Sequence, residues 1–336
     1  MVLGDEQMDY VLKGSTDNLI NIYRQVNIDY KWKNSSNMNN LIALSHIINQ
    51  KEYSKLAIDR VNAYIKENTG PFSCYRQKSI LFSALLLLGF TDPENKFDIL
   101  QDYEQRLKDA GFRSYTYRPV TAYTLLLTCE EEKIDEKIAK AFEIFTEMRR
   151  DHPWLTSGDD YPLSVLLASS EESVRTIMND IESLYHALNR AGLSRGNGFQ
   201  FLSHILSLSP ESNDQKATRC KKLYDFFKQN KLKVYSTNYA SLGLLTLLAE
   251  KSKEAAQEVI VVSNYLIEDR NTRWLGRETL FLTATALVST IILQSIKNNK
   301  ALIETDPYVT IEDLIAAQTA AMLGATCAAT AVASNS

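Results

Sequence analysis

Six short apolar runs recur along the chain at a nearly constant interval. Single positions taken from successive runs are separated by 40, 41, 41, 40 and 40 residues: Leu86, Leu126, Leu167, Leu208, Leu248 and Val288. A fixed period in this range is typical of stacked supersecondary units, each of which buries its apolar face against its neighbours. The pattern therefore predicts a repeat protein with a unit of about 41 residues.

A more amphipathic segment precedes each apolar run. Apolar residues step by three and four from Phe97 to Leu107, from Ile134 to Met148 and from Val174 to Leu188, with charged residues between them. This spacing predicts half-buried outer helices, whereas the apolar runs predict inner helices that are buried on nearly all sides.

Glycine and proline mark the predicted boundaries of these helices. Gly111 and Gly192 stand where an outer helix should end, and Pro119 and Pro162 stand where the following inner helix should begin. The chain has only 12 Gly and 7 Pro, too few for a sandwich of short strands joined by tight turns. An all-α fold is expected.

Helices at both ends of the chain complete the predicted architecture. An N-terminal pair over 5–30 and 39–50 and a C-terminal helix from Ile311 to about Ala331 bring the total to about seven antiparallel pairs. Because nothing resembles a flexible linker, residues 1–336 are expected to form a single all-helical repeat domain. The pattern is compatible with both an open solenoid and a closed α/α toroid.

Charge and composition indicate which classes of partner and which cellular compartment are expected. With 41 acidic and 37 basic residues the net charge is −4, which argues against a dedicated nucleic-acid binder. An acidic N-terminus without a signal-peptide pattern, together with four scattered cysteines, predicts a cytoplasmic protein. Two uncharged stretches, 279–296 and 314–336, reach the length of a membrane span, but their Thr, Ser, Gln and Ala content favours burial inside the protein. No membrane partner is expected.

The loops that lead from outer to inner helices hold the candidate chemistry. They should share one end of the stack, and they are rich in aromatic, arginine and amide side chains next to helix N-termini. Such a ring of loops is a candidate ligand pocket or peptide-binding rim, although the same side chains could instead seal the end of the core. The candidate ligand-binding residues are Arg113, Tyr115, Tyr117, Arg118, Trp154, Asp159, Asp160, Tyr161, Asn197, Gln200, Arg277 and Glu278.

Known catalytic and cofactor motifs are absent from the sequence. The four histidines and four cysteines show no zinc-ligand spacing, and no phosphate-binding glycine loop or GxSxG motif occurs. No cofactor and no metal are therefore expected. His46 and His204 share the same inner-helix context, and both are expected to be packed and hydrogen-bonded.

Three loop segments resemble a known family. Phe112–Pro119, Leu155–Leu163 and Gly196–Leu206 are similar to segments of an uncharacterised bacterial family, the domain of unknown function numbered four thousand and three, which is common in Bacillus-like organisms. The resemblance covers most of the chain, including the tail of small residues. It implies a cytoplasmic bacterial protein and supplies no activity or site residues.

Two functions from different classes follow from these patterns. The preferred hypothesis is a noncatalytic helical-repeat protein that binds a peptide, a protein or a small ligand through its loops, since Arg, Tyr and Trp are typical interface anchors. The alternative is an α/α-toroid enzyme, of hydrolase type, with Asp159, Asp160 and Glu278 around a central cavity.

Overall fold

The computed structural model describes residues 8–193 and 197–298. This part of the chain forms α-helices and short 3₁₀ turns without a strand. The predicted C-terminal helix over 311–331 lies outside the described residues. The α-helices are α1 (Tyr10–Tyr30), α2 (Ser36–Ile48), α3 (Lys55–Glu67), α4 (Cys74–Gln77), α5 (Ser79–Gly89), α6 (Pro93–Ala110), α7 (Arg118–Thr128), α8 (Ile134–Asp151), α9 (Tyr161–Leu167), α10 (Val174–Arg190), α11 (Asn197–Leu206), α12 (Asn213–Gln229), α13 (Tyr239–Leu247), α14 (Ser252–Glu268) and α15 (Arg277–Asn298).

The helices pack as outer and inner partners in chain order. The outer helices α1, α3, α6, α8, α10, α12 and α14 each contact the inner helix that follows, which is α2, α5, α7, α9, α11, α13 or α15. Most neighbouring helices within each layer also contact one another. The four-residue helix α4 lies within the connection between α3 and α5, and it leads directly into α5.

Short polar caps explain where most outer helices begin. A Ser or Asp side chain accepts a backbone N–H from the first turn of α1, α3, α6, α10 and α12, and the caps are Asp9, Ser54, Asp92, Ser173 and Ser212. Such a cap pairs one of the donors that a helix N-terminus leaves without a partner inside the helix. Asp9 therefore caps α1, which begins at Tyr10, whereas the sequence predicts a start at Asp5. Residues 5–7 lie outside the described residues.

The predicted glycine and proline boundaries are confirmed. Gly111 follows α6 with φ 111° and Gly192 follows α10 with φ 91°, a left-handed conformation that glycine adopts without steric cost. Pro119 and Pro162 lie in the first turns of α7 and α9, where a missing N–H costs nothing.

Burial separates the two layers as the apolar pattern predicts. Every residue of α9 and of α13 is buried, so these inner helices have no solvent-facing side. The outer helix α10 buries only an apolar stripe that includes Ile177, Ile181 and Leu184, and its charged residues are exposed or half-buried. The core therefore lies between the layers and around the inner helices.

One described helix is long and apolar enough to cross a membrane. It is the stretch Arg277–Ile296 of α15, and 67% of its most apolar window is buried inside the protein. The helix contacts α2, α13 and α14, in agreement with the expectation that residues 279–296 pack inside the structure.

The first and last of the described helix pairs are in contact. The Asn40 amide donates to Thr283 Oγ1 at 2.8 Å, and the Gln294 amide donates to the Ile48 carbonyl at 3.2 Å. Between the outer helices, the Tyr265 hydroxyl donates to an Asp17 carboxylate oxygen at 2.6 Å. The N-terminal pair therefore contacts both layers of the C-terminal pair.

Candidate binding surface

In the part of the chain that the structure describes, seven connections lead from an outer helix to its inner partner, and together they form the loop-bearing end. Since each pair is antiparallel and the outer helices contact one another in chain order, these connections lie at the same end of the helices. The described residues of the loop-bearing end are 31–35, 68–78, 111–117, 152–160, 191–193, 230–238 and 269–276. The return connections from inner to outer helices lie at the opposite end.

Direct contacts join the second, third and fourth connections. The Tyr115 hydroxyl donates to the Phe72 carbonyl. The Tyr161 hydroxyl accepts the backbone N–H groups of Arg113 and Ser114 at 3.1 and 3.2 Å. A Cβ on Gly158 would lie only 2.6 Å from Ser114, so these connections are closely packed.

Similar contacts join the fourth helix pair to the fifth, the fifth to the sixth and the sixth to the seventh. The Gln200 amide donates to Thr156 Oγ1 at 2.9 Å across the fourth and fifth pairs. A Cβ on Gly198 would lie 1.9 Å from the Ser236 carbonyl oxygen, which places the start of α11 against the sixth connection. The Thr237 hydroxyl then donates to a Glu278 carboxylate oxygen at 2.9 Å.

Arg118 is an internal brace of this end. Its side chain is buried, lies 3.2 Å from a Glu104 carboxylate oxygen, and donates to the carbonyl of Arg113 at 3.2 Å. The guanidinium also lies 5.6 Å from the centre of the Tyr115 ring. Burial raises the pKa of Glu104 above its ordinary value, and Arg118 opposes that rise. The predicted candidate Arg118 thus fastens its own connection to α6, whereas Arg113 is exposed.

Other predicted candidates also make packing contacts. Tyr161 is buried, with its ring edge-to-face on Phe112 at 4.8 Å and Phe145 at 4.6 Å. Tyr117 is half-buried beside Gly158. For these two residues the contacts are of the kind expected where aromatic side chains seal the end of the core.

The predicted acidic residues occupy separate environments. Asp159 is exposed and accepts from the Ser157 hydroxyl. Asp160 is buried and accepts the Ser157 N–H at 2.9 Å, and burial together with the neighbouring charge of Asp159 raises its pKa to about 7. Glu278 is exposed beside the sixth connection, and within the described residues no hydrogen bond or ion pair joins it to Asp159 or Asp160. The carboxylate constellation of the hydrolase hypothesis stays a prediction.

Two neighbouring polar side chains of α11 are buried, and the sequence did not predict this pair. Gln200 and His204 are one helical turn apart and almost fully buried. The Gln200 carbonyl oxygen and both His204 ring nitrogens have no hydrogen-bond partner among the described residues. The expectation of a hydrogen-bonded His204 is therefore wrong, whereas His46 Nδ1 does lie 3.1 Å from the Lys51 carbonyl oxygen. Burial, together with a smaller contribution from nearby His152, lowers the pKa of His204 to about 3.

The His204 environment predicts acid sensitivity. The folded state resists protonation down to about pH 3, while the unfolded chain takes up the proton below about pH 6.5. Stability is therefore lost as the pH falls below 6.5, by about 3 kcal/mol at pH 4.5. His204→Leu is expected to remove this loss, so its unfolding free energy relative to wild type should rise by that amount between pH 7.5 and 4.5 in urea titrations. Leu202→Ala, which changes a buried residue of the same helix that does not titrate, should show a nearly constant difference, and equal behaviour of both variants would contradict the assignment.

All three tryptophans of the chain lie on the loop-bearing end and point into solvent. Trp32, Trp154 and Trp274 are 91%, 94% and 78% exposed, and Phe72 on the second connection is 84% exposed. Large aromatic side chains are usually well buried, so this concentration at one end is unusual. Of these residues only Trp154 was a predicted candidate. Trp32 was not predicted, although the lysines on both sides of it, Lys31 and Lys33, are a sequence signal that could have identified it.

The two ends of the structure carry opposite charge. The described connections of the loop-bearing end contain nine Lys or Arg and three Asp. The return connections 49–54, 90–92, 129–133, 168–173, 207–212 and 248–251 contain nine Asp or Glu and three Lys. Although the net charge of the chain is close to zero, the described connections are basic at one end and acidic at the other.

Cations also stack on the exposed rings. Lys31 Nζ lies 5.2 Å from the centre of the Trp32 ring, and the Arg273 guanidinium lies 5.0 Å from the centre of the Trp274 ring. Lys233 Nζ lies 4.4 Å from the centre of the Tyr235 ring on the sixth connection. Positive charge and aromatic surface thus occur side by side on three connections.

The two remaining predicted candidates lie at the first residues of inner helices. Arg277 is exposed at the start of α15, and Asn197 begins α11. Among the residues that the structure describes, no group of three or more His, Cys, Asp or Glu side chains is placed to hold a metal ion. The chemistry of this end is therefore aromatic and cationic.

Comparisons with known proteins place the chain among uncharacterised relatives. The family model described as "Protein of unknown function (DUF4003)" matches residues 22–320. The chain is similar to "Uncharacterized protein YeaA" of Bacillus subtilis (strain 168), with 26% identity over 326 residues that cover 95% of this chain and 96% of the relative. No solved structure matches.

Proposed function

Because the chain belongs to the bacterial DUF4003 family, whose function is unknown, we propose its role from geometry: it is a noncatalytic helical-repeat protein whose loop-bearing end binds an anionic partner. The observation that carries the proposal is the exposure of all three tryptophans on that one end. Trp, Tyr and Arg dominate binding energy where they are free to be desolvated by a partner. The buried Arg118 and Tyr161 supply the rigid frame beneath them.

Charge supports an anionic partner. The basic connections attract a negatively charged surface, and the acidic return connections repel it, so the protein would approach with the loop-bearing end first. The cations stacked on Trp32 and Trp274 would reach the partner together with the aromatic rings.

We also infer that the helix pairs close into a seven-pair α/α toroid with a repeat of about 41 residues. The contacts of the first pair with the last support closure over an open solenoid. A double-mutant cycle with Asn40→Leu and Thr283→Val should give a coupling energy of about 1 kcal/mol in urea unfolding, because the two side chains share a buried hydrogen bond. Strict additivity of the two substitutions would contradict closure through this contact.

The binding proposal is tested with poly-L-glutamate as an anionic probe. Titration is expected to change the tryptophan fluorescence, because all the tryptophans report from the loop-bearing end. Binding should weaken steeply with added salt, as expected of exposed charges. Lys31→Glu/Lys233→Glu should weaken binding at least tenfold, since both lysines are exposed on the loop-bearing end.

A matched variant controls for net charge. Lys13→Glu/Lys253→Glu makes the same change near the starts of α1 and α14, at the opposite end, and should bind nearly as wild type does. Equal loss in the two variants, or a wild type that binds no anionic probe, would overturn the proposal.

A further inference from the structure

We propose that the anionic partner of the loop-bearing end is the surface of an anionic phospholipid bilayer, on which the protein rests without spanning it. This inference depends on the proposed function, since it names the partner of the same surface. The sequence predicts no membrane partner because its two long uncharged stretches are expected to be buried in the protein and not to span a bilayer. Contact with the surface of a bilayer requires no spanning segment.

Protruding aromatic rings are the first observation that favours a bilayer. Trp32, Phe72, Trp154 and Trp274 come from four different connections, and each is at least 78% exposed, so no ring occupies a pocket of its own. Tryptophan favours the interfacial region of a bilayer, where its apolar ring and polar N–H are both accommodated. Four separate rings at one end are therefore suited to shallow insertion.

The distribution of these rings favours a flat surface over a protein partner. The residues that anchor a protein interface cluster near its centre and fill pockets on the partner. Here the rings lie on the first, second, fourth and seventh connections. In a closed ring of pairs the seventh, first and second connections are neighbours, whereas Trp154 lies apart from them. A bilayer surface can contact Trp154 and the three neighbouring rings at the same time, whereas the centre of a compact interface would include only the neighbouring ones.

Basic side chains beside the exposed rings are the third observation that favours a bilayer. Lys31 and Arg273 stack directly on Trp32 and Trp274, so rings inserted among headgroups would bring these cations to the lipid phosphates. Basic side chains next to an anionic leaflet add to the affinity that aromatic insertion provides. The acidic return connections would face away from the bilayer.

Vesicle sedimentation of the full chain tests the inference. Vesicles of phosphatidylcholine with about 30% phosphatidylglycerol should sediment the protein, whereas pure phosphatidylcholine vesicles should not, because the surface charge is required. The tryptophan emission should shift to shorter wavelength as the rings leave water. Trp32→Ala/Trp154→Ala/Trp274→Ala should lower the affinity at least tenfold.

A second variant controls for exposed apolar surface in general. Tyr10 and Leu56 are 89% and 82% exposed at the opposite end, so Tyr10→Ala/Leu56→Ala should sediment as wild type does. Unchanged sedimentation of the tryptophan variant would overturn the inference. Binding of poly-L-glutamate without binding of anionic vesicles would also overturn it, while leaving the proposed function in place with a soluble acidic partner. Binding of neither probe would overturn both.

Discussion

Replacing Gly198 with alanine is expected to lower the free energy of unfolding by at least about 3 kcal/mol, since overpacking against an immobile neighbour is costly. The new Cβ would lie 1.9 Å from the Ser236 carbonyl oxygen and 2.8 Å from its carbonyl carbon. Both are backbone atoms, so relief requires α11 to move away from the sixth connection. Urea unfolding followed by circular dichroism measures the loss.

The same substitution at Gly14 is the matched control. Gly14 is an exposed position inside α1, and a Cβ there would meet no atom within 4 Å. Gly14→Ala should therefore stabilise the protein by about 0.5–1 kcal/mol through helix propensity alone. Equal effects at the two positions would show that α11 does not press against Ser236.

Replacing Arg118 with methionine is expected to destabilise the protein by about 3–5 kcal/mol, the cost of breaking a buried ion pair from one side. The substitution leaves the Glu104 carboxylate, whose side chain is 19% exposed, without its cation. It also removes the donor that reaches the Arg113 carbonyl. The midpoint of urea unfolding should fall accordingly.

Two further variants separate the ion pair from the loss of a long side chain. Arg113→Met changes an exposed arginine of the same connection and should alter stability by less than about 0.5 kcal/mol. Glu104→Gln in the Arg118→Met background should recover part of the loss, because the neutral amide costs less to bury unpaired. A full-size loss in Arg113→Met, or no recovery, would contradict the assigned brace.

The sequence predicted the alternation of helices well because burial dictates it. Inner helices such as α13 are buried on every side and appear as apolar runs, while outer helices such as α10 show a stripe spaced by three and four. Gly111 and Pro119 marked boundaries through backbone conformation, a local property. The contact of Asn40 with Thr283 joins residues 243 positions apart, and no local pattern could reveal it.

The candidate site was predicted less well, because a residue type does not determine exposure. Trp154 and Arg118 seemed alike as loop residues, yet the first is 94% exposed and the second is buried against Glu104. Trp32 was missed because the first connection is only five residues long and resembles an ordinary turn between helices. The charge difference between the ends depends on which connections share an end, a property of the packing.

Fluorine NMR of the chain labelled with 5-fluorotryptophan tests the central claim, that the loop-bearing end is the binding surface. The three tryptophans give three resonances, which single Trp→Phe variants assign to Trp32, Trp154 and Trp274. If that end binds, poly-L-glutamate should shift or broaden all three resonances together, with the same dependence on probe concentration. Binding of the probe that leaves the three resonances unchanged would place the binding surface elsewhere and contradict the claim.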